Sequence, residues 1–390
     1  MRAEIDPFHA LEINRLANVL QAQGHPVIHM EVGQPSTGAP RAAIAAAHRV
    51  LDSDAMGYWE SPALKERISQ HYAETYGLLV GADRMVLTCG ASPALVLALS
   101  SCFSPGDRVA LARPGYVAYR NTLKALHLVP VEIACGPDTR FQLSARAIAA
   151  LDPPPAGVIV ASPANPTGSI IEPAELAAIA EVCRDRGIRI ISDEIYHGLS
   201  YVGPARSMLE FAPDALGINS FSKYFSMVGW RLGWLVSPAD HVHRARTFSG
   251  NFFLTAPSLS QHAGLAALDS REELEGHVAT YARNRDLLLA ALPRLGLTTI
   301  APPDGAFYIY ADIGHLTDDS LAFCKALLND THVATAPGLD FDPVNGHRFF
   351  RMSFAVSTAE IEDAIGRLEL WFQEQTRTAG AGDFVGRSAS

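Results

Sequence analysis

Lysine is scarce in this chain: four occur, Lys65, Lys124, Lys223 and Lys325, beside 27 arginines. A surplus of positive charge is missing too. The formal net charge is −10 at pH 7, which argues against nucleic acid or an anionic membrane as a partner. The five cysteines (Cys89, Cys102, Cys135, Cys183 and Cys324) are odd in number and scattered, with no C-x-x-C pair. Neither a disulfide framework nor a zinc site is indicated, and no metal is expected. No apolar run approaches the roughly 18 residues that a membrane helix needs. The opening Met1-Arg2-Ala3-Glu4-Ile5-Asp6 has no apolar core of a secretory signal. These absences lead to the expectation of a soluble cytoplasmic protein.

What is present is a large supply of core. Hydrophobic residues make up 48% and charged residues 18% of 390 residues, enough for two domains or for one large domain with an appendage. From residue 84 short β-branched runs alternate with helical ones. Met85–Thr88, Arg108–Leu111, Val129–Ile133, Gly157–Val160, Ile188–Ile191 and Ala215–Asn219 read as strands. Pro93–Phe103, Val117–Leu126 and Glu175–Arg186 read as helices between them. Such alternation predicts an α/β fold whose mostly parallel sheet is covered by helices on both faces. The chain ends differ: Arg283–Leu292 and Thr358–Gln373 read as helix, Ala306–Tyr310 and Arg351–Ala355 as strand. The expected organisation is a large domain over 46–284 and a smaller α+β domain from 1–45 and 285–378. A small, polar tail over 379–390 is expected to be disordered.

In parallel sheets, ligands bind beyond the carboxyl ends of the strands. Polar and ionisable groups collect there in this sequence. Gly90-Ala91-Ser92 opens a helix, the outline of an anion site. Asn165 lies in Asn165-Pro166-Thr167-Gly168, and Asp193 and Tyr196 lie in Asp193-Glu194-Ile195-Tyr196. Lys223 follows the last strand in Ser220-Phe221-Ser222-Lys223, while the other three lysines sit in amphipathic helical segments. An amine among apolar groups is costly unless its pKa falls or it bonds covalently, which suits Schiff-base chemistry. Taken alone, Lys223 also fits an ordinary surface loop, and Asp193 an ordinary helix cap. Arg231, between Trp230 and Trp234, and Arg351, within Phe349–Phe354, each fit an anion clamp or a buried structural ion pair.

Together these motifs, with Gly229-Trp230-Arg231-Leu232-Gly233 and Arg351-Met352-Ser353-Phe354-Ala355, resemble the class I/II aminotransferases. These are fold type I enzymes that use pyridoxal 5′-phosphate. The resemblance runs from about Val32 to Ser357 in the family's order and spacing. It implies that Lys223 forms an aldimine with the cofactor, and that Asp193 pairs with the ring nitrogen. Asn165 and Tyr196 would bond the phenolic oxygen, and Tyr116 would stack on the ring. Ala91, Ser92, Ser220, Ser222 and Arg231 would hold the phosphate. Gly33, Asn165 and Arg351 would receive the substrate carboxylate. The implied activity moves an α-amino group from an amino acid to a 2-oxo acid by a ping-pong route, in a homodimer with shared active sites. Other chemistries of the fold remain open, namely β- or γ-elimination, decarboxylation and oxidation. Residues 1–30 are too short for a DNA-binding module that would make the chain a regulator.

The match departs from the family at Pro93, where a residue with an N–H is more usual, and in one loop. Gly57-Tyr58-Trp59-Glu60-Ser61-Pro62-Ala63-Leu64-Lys65 is shorter than the family's segment and lacks its glycine. The resemblance implies that Tyr58 reaches the phosphate of the neighbouring subunit. Substrate specificity is expected to be unusual, because this loop borders the pocket. None of Arg41, Arg113, Arg120 and Arg206 stands out as a partner for a substrate side-chain carboxylate.

Overall fold

The β-branched runs become a seven-stranded sheet in the computed structural model, which describes residues 4–380. Its strands are β1 (Met85–Thr88), β2 (Arg108–Arg113), β3 (Val129–Ala134), β4 (Gly157–Ala161), β5 (Arg189–Asp193), β6 (Leu216–Ser220) and β7 (Gly233–Val236). The spatial order is β1-β7-β6-β5-β4-β2-β3. Only β7 runs antiparallel, to both its neighbours. The expected parallel α/β sheet is therefore present. The antiparallel strand was not anticipated. It follows β6 directly, with no crossover helix, so it lies outside the strand–helix alternation on which the sequence reading rests.

Alternation along the strands explains the layering. Val158 and Val160 face one apolar cluster, with Ile190 and Trp234, while Ile159 faces the other, with Ile191 and Leu235. Both faces are dry, so the sheet needs helices on each side. Local signals set where helices begin and end. Ser61 accepts from the Leu64 N–H at 3.2 Å at the start of Pro62–Tyr76, and Gly77 ends that helix in the left-handed region. Asp319 accepts from the N–H groups of Leu321 and Ala322, both at 3.0 Å, and starts Ser320–Thr331.

A second core joins the two ends of the chain. Ile13, Ile28 and Met30 pack with Phe307, Leu328, Phe350 and Leu368. Ile28–His29 pairs in parallel with Val333–Ala334. Phe349–Ser353 lies antiparallel between Tyr308–Asp312 and Ala336–Pro337. The smaller α+β unit built from both chain ends is therefore present. Its long helix, Arg271–Ala291, starts well before the expected Arg283. The last helix, Thr358–Gly380, takes in Ala379 and Gly380; the rest of the expected tail lies outside the described residues.

Candidate active site

The six parallel strands end at one edge of the sheet, and β7 begins there. Beyond that edge lies a cavity of about 450 Å³, closed on the other side by the second core's strands. Gly33, Ala91, Ser92, Tyr116, Asn165, Asp193, Tyr196, Ser222, Lys223, Arg231 and Arg351 all line it. Two expected site residues do not. Ser220 is buried behind the wall, where its hydroxyl donates to the Leu232 carbonyl at 3.0 Å and shares a 2.8 Å hydrogen bond with the Ser222 hydroxyl. Tyr58 is 83% exposed and does not line this chain's cavity.

One end of the cavity is built for an anion. The helix Ala91–Cys102 starts two residues earlier than expected, so the N–H groups of Ala91 and Ser92 belong to its first turn. Gly90 precedes it with φ of 98°, and a Cβ there would meet Arg231 Nη2 at 2.5 Å. The missing side chain thus lets the guanidinium lie against the helix start. Arg231 Nη1 donates to the Val228 carbonyl at 2.9 Å and reaches Ser222 Oγ at 3.5 Å.

The middle carries a buried carboxyl group. Asp193, at the end of β5, is 8% exposed. Burial raises its pKa above the ordinary carboxylate range; the Tyr119 hydroxyl and the Ile195 N–H, donating at 2.6 and 3.1 Å, act in the opposite direction. Tyr116 stands edge-on to Tyr119, with centroids 5.5 Å apart. Tyr196 and Tyr308 share a hydroxyl hydrogen bond of 2.6 Å, and burial pushes the Tyr196 phenol well above its usual range.

Lys223 donates to the Gly33 carbonyl, and its Nζ sits 5.9 Å from the centre of the Tyr196 ring. Burial, then the nearby Arg351 and Arg231 cations, lower its pKa from 10.5 to about 8; Asp193 opposes them. Arg351 holds the far end. It is 2% exposed, and its guanidinium lies 4.4 Å from the Tyr308 ring centre and 4.8 Å from that of Phe341. It donates to Asn165 Oδ1 at 2.8 Å and to the Glu31 carbonyl at 2.5 Å. Its Nε is buried without a partner. Gly33 is glycine for a packing reason: a Cβ there would fall on the Tyr308 hydroxyl.

The model of the aminotransferase class I and II family matches residues 25–368. The chain belongs to that family. It is 46% identical, over 382 residues, to valine–pyruvate aminotransferase of Mycobacterium tuberculosis, covering 96% of this chain and 98% of that protein. The crystal structure of an aminotransferase from Mycobacterium tuberculosis superposes with a TM-score of 0.93 at 45% identity, covering 95% of this chain and 97% of that one. The aspartate aminotransferase of Thermus thermophilus with maleate superposes at 0.88 and 30% identity, covering 94% and 97%. The chain is thus an aminotransferase of fold type I, a transferase of nitrogenous groups that acts between amino acids and 2-oxo acids. Enzymes of this family use pyridoxal 5′-phosphate.

The sequence reading missed Tyr119 and Tyr308. Tyr119 had a usable signal, because it lies one helical turn after Tyr116 and therefore on the same face. Tyr308 had none: it follows Phe307 and precedes Ile309 and Tyr310, all fully buried or nearly so like itself.

Proposed function

We propose that the cavity at the sheet edge is the aminotransferase active site, with pyridoxal 5′-phosphate held along it. One observation carries this reading. A lysine amine with its pKa lowered to about 8 shares the cavity with a buried carboxyl group and two arginines at opposite ends. The donor set fits the cofactor. The N–H groups of Ala91 and Ser92, Ser222 and Arg231 suit a phosphate dianion, with Ser220 orienting Ser222. Asp193 suits a protonated heterocycle nitrogen, the Tyr116 ring an aromatic face, and Asn165 with Tyr196 a phenolic oxygen. When bound, the cofactor supplies an electrophilic carbonyl and an electron sink.

The chain's own groups do the rest. Arg351, with its unpaired Nε, binds the substrate carboxylate beside Asn165 and Gly33. Lys223 Nζ is neutral in a useful fraction near pH 8, so it can attack a carbonyl, take a proton from the substrate Cα and later return it. The amino acid and the 2-oxo acid use the same site in turn. Valine and pyruvate, the pair in the name of the Mycobacterium tuberculosis relative, are the first pair to test.

The assembly we propose is a cytoplasmic homodimer with shared sites. Among the described residues, no helix is long and apolar enough to cross a membrane. Tyr58, Phe252 and Leu254 are all more than half exposed. The Tyr58 loop and the segment after Leu254 are joined by a 2.7 Å bond from Ser258 Oγ to the Gly57 carbonyl. Together they supply an apolar surface suited to a second copy. The two cores supply the two domains we propose, with limits at 46–284 and at 1–45 plus 285–378, the helix Arg271–Ala291 running across the boundary between them.

Steady-state rates with valine and pyruvate test the reading. Parallel double-reciprocal lines are expected, and borohydride should attach the cofactor to Lys223. Intersecting lines, or ammonia released without an acceptor, would sink it. Light scattering reads the dimer.

A further inference from the structure

The N-terminal segment is tied down at both sides of the cavity. On one side, Asp6 is latched to the helix Val117–Ala125. Its carboxylate accepts from Arg120 Nε at 3.0 Å and Lys124 Nζ at 2.8 Å. Its backbone exchanges bonds of 3.2 and 3.0 Å with the Asn121 side chain. On the other side, the helix His9–Ala22 is fixed to the second core. Asp340 accepts from the N–H groups of His9 and Ala10, both at 2.7 Å, and Asn14 Nδ2 donates to Glu31 at 2.8 Å. The span between these anchors carries Phe8, and the first turn of the helix carries Leu11. Both line the cavity. The Phe8 ring stands edge-on to Tyr116, with centroids 6.3 Å apart. Leu11 is 56% exposed, an apolar side chain left uncovered at a binding cavity.

The charges of the cavity narrow what this strap can meet. Among the described residues, its lining cations are Lys223, Arg231 and Arg351, and each already has a partner role in the site above. The four arginines open at the sequence level all face carboxylates of the protein instead. Arg113 approaches Asp342 at 3.3 Å, Arg120 holds Asp6 and Glu132, Arg206 holds Glu210, and Arg41 is 3.9 Å from Glu273. None lines the cavity. Glu31 borders it and adds a carboxyl group, with Oε2 buried and unpartnered. A substrate side chain reaching the strap therefore meets hydrocarbon and no free cation.

We propose that the latched strap is the specificity wall of this enzyme: Phe8 and Leu11 contact the substrate side chain and favour a branched aliphatic group over a carboxylate. Asp6 is a positioning residue that acts through them. The proposal rests on the active-site reading above, and the two can fail separately. The test uses the holoenzyme with valine, alanine and aspartate as donors. Its second readout is equilibrium binding of the unreactive acids isovalerate and maleate. Asp6→Asn should lower kcat/KM for valine about tenfold, mainly through KM, and leave alanine within about twofold, because a methyl group offers the wall far less surface to contact than an isopropyl group does. Isovalerate affinity should fall in parallel. Leu11→Arg, at an exposed position where folding is not at stake, should narrow the valine-to-aspartate ratio and the isovalerate-to-maleate ratio about tenfold or more. Equal losses for valine and alanine in Asp6→Asn, or unchanged ratios in Leu11→Arg, would overturn the strap while leaving the site reading intact. A wild-type protein that takes up no pyridoxal 5′-phosphate would instead overturn the site reading itself, and the strap with it.

Discussion

The two ends of the cavity are built in different ways. At the end proposed to cradle the phosphate, Ala91, Ser92, Ser222 and Arg231 come from turns that directly follow or precede strands of one sheet. Their meeting follows from strand direction alone, since parallel strands bring their carboxyl ends to a common edge. At the opposite end, Arg351 reaches the Glu31 carbonyl across 320 positions and Asn165 across 186. Those contacts exist only because the second core closes over both chain ends. One end depends on the sheet, the other on the seating of one core against another.

The sharpest way to test this contrast is to cut one arginine at a time. Arg351→Ala removes a buried cation, so amino acid affinity should fall by about 2 kcal/mol or more, roughly thirtyfold, with cofactor affinity nearly unchanged. Arg231→Ala should do the reverse on a smaller scale. It removes a more exposed charge-assisted contact worth about 1.5 kcal/mol, roughly tenfold in cofactor affinity. Titrating cofactor uptake and substrate binding separately reads both. Equal losses in both quantities from either variant would erase the distinction.

Lys223 stands between the two ends and feels both arginines. Only an unprotonated amine is nucleophilic, so amine labelling of Lys223 in cofactor-free protein should rise with pH through about 8 rather than 10.5. Removing a cation removes a penalty on the charged amine. Arg351→Gln should therefore move the midpoint up, and Arg231→Gln should move it up less, following the order of their influence. A wild-type midpoint near 10.5 would break this coupling.

Two glycines report on the same division through stability rather than through charge. Gly33→Ala pushes on the buried Tyr308 and should cost about 1–3 kcal/mol of stability, weakening amino acid binding first. Gly90→Ala meets the mobile end of Arg231 but must hold φ of 98°; a cost of about 1–2 kcal/mol is expected, felt first in cofactor binding. Thermal scans with and without each ligand would separate the two.

Legibility followed the same division. The strands β1 to β6 could be read because each is a short apolar run bounded by turn residues, and their ends differ from expectation by two residues at most. β7 could not, because a short antiparallel return has no crossover helix to mark it. Lys223 and Asp193 stand out as ionisable groups at the ends of readable strands, so their convergence on one cavity was foreseeable. Tyr308 was invisible, since one buried tyrosine among aromatic neighbours carries no pattern of its own. The role of Phe8 and Leu11 as cavity walls was equally hidden, because an apolar residue near a chain end reads the same whether it lines a ligand site or a core.

By itself the sequence determined the kind of element at most positions, the order of the polar turns and the set of reactive groups. Those properties follow from backbone periodicity and side-chain chemistry, which act over a few residues. Only the tertiary structure decided which of those groups meet, that Arg351 is left with an unpaired Nε, and that the four uncommitted arginines face protein carboxylates. These depend on contacts between segments far apart in the chain, and it is the packing of whole cores that brings such segments together.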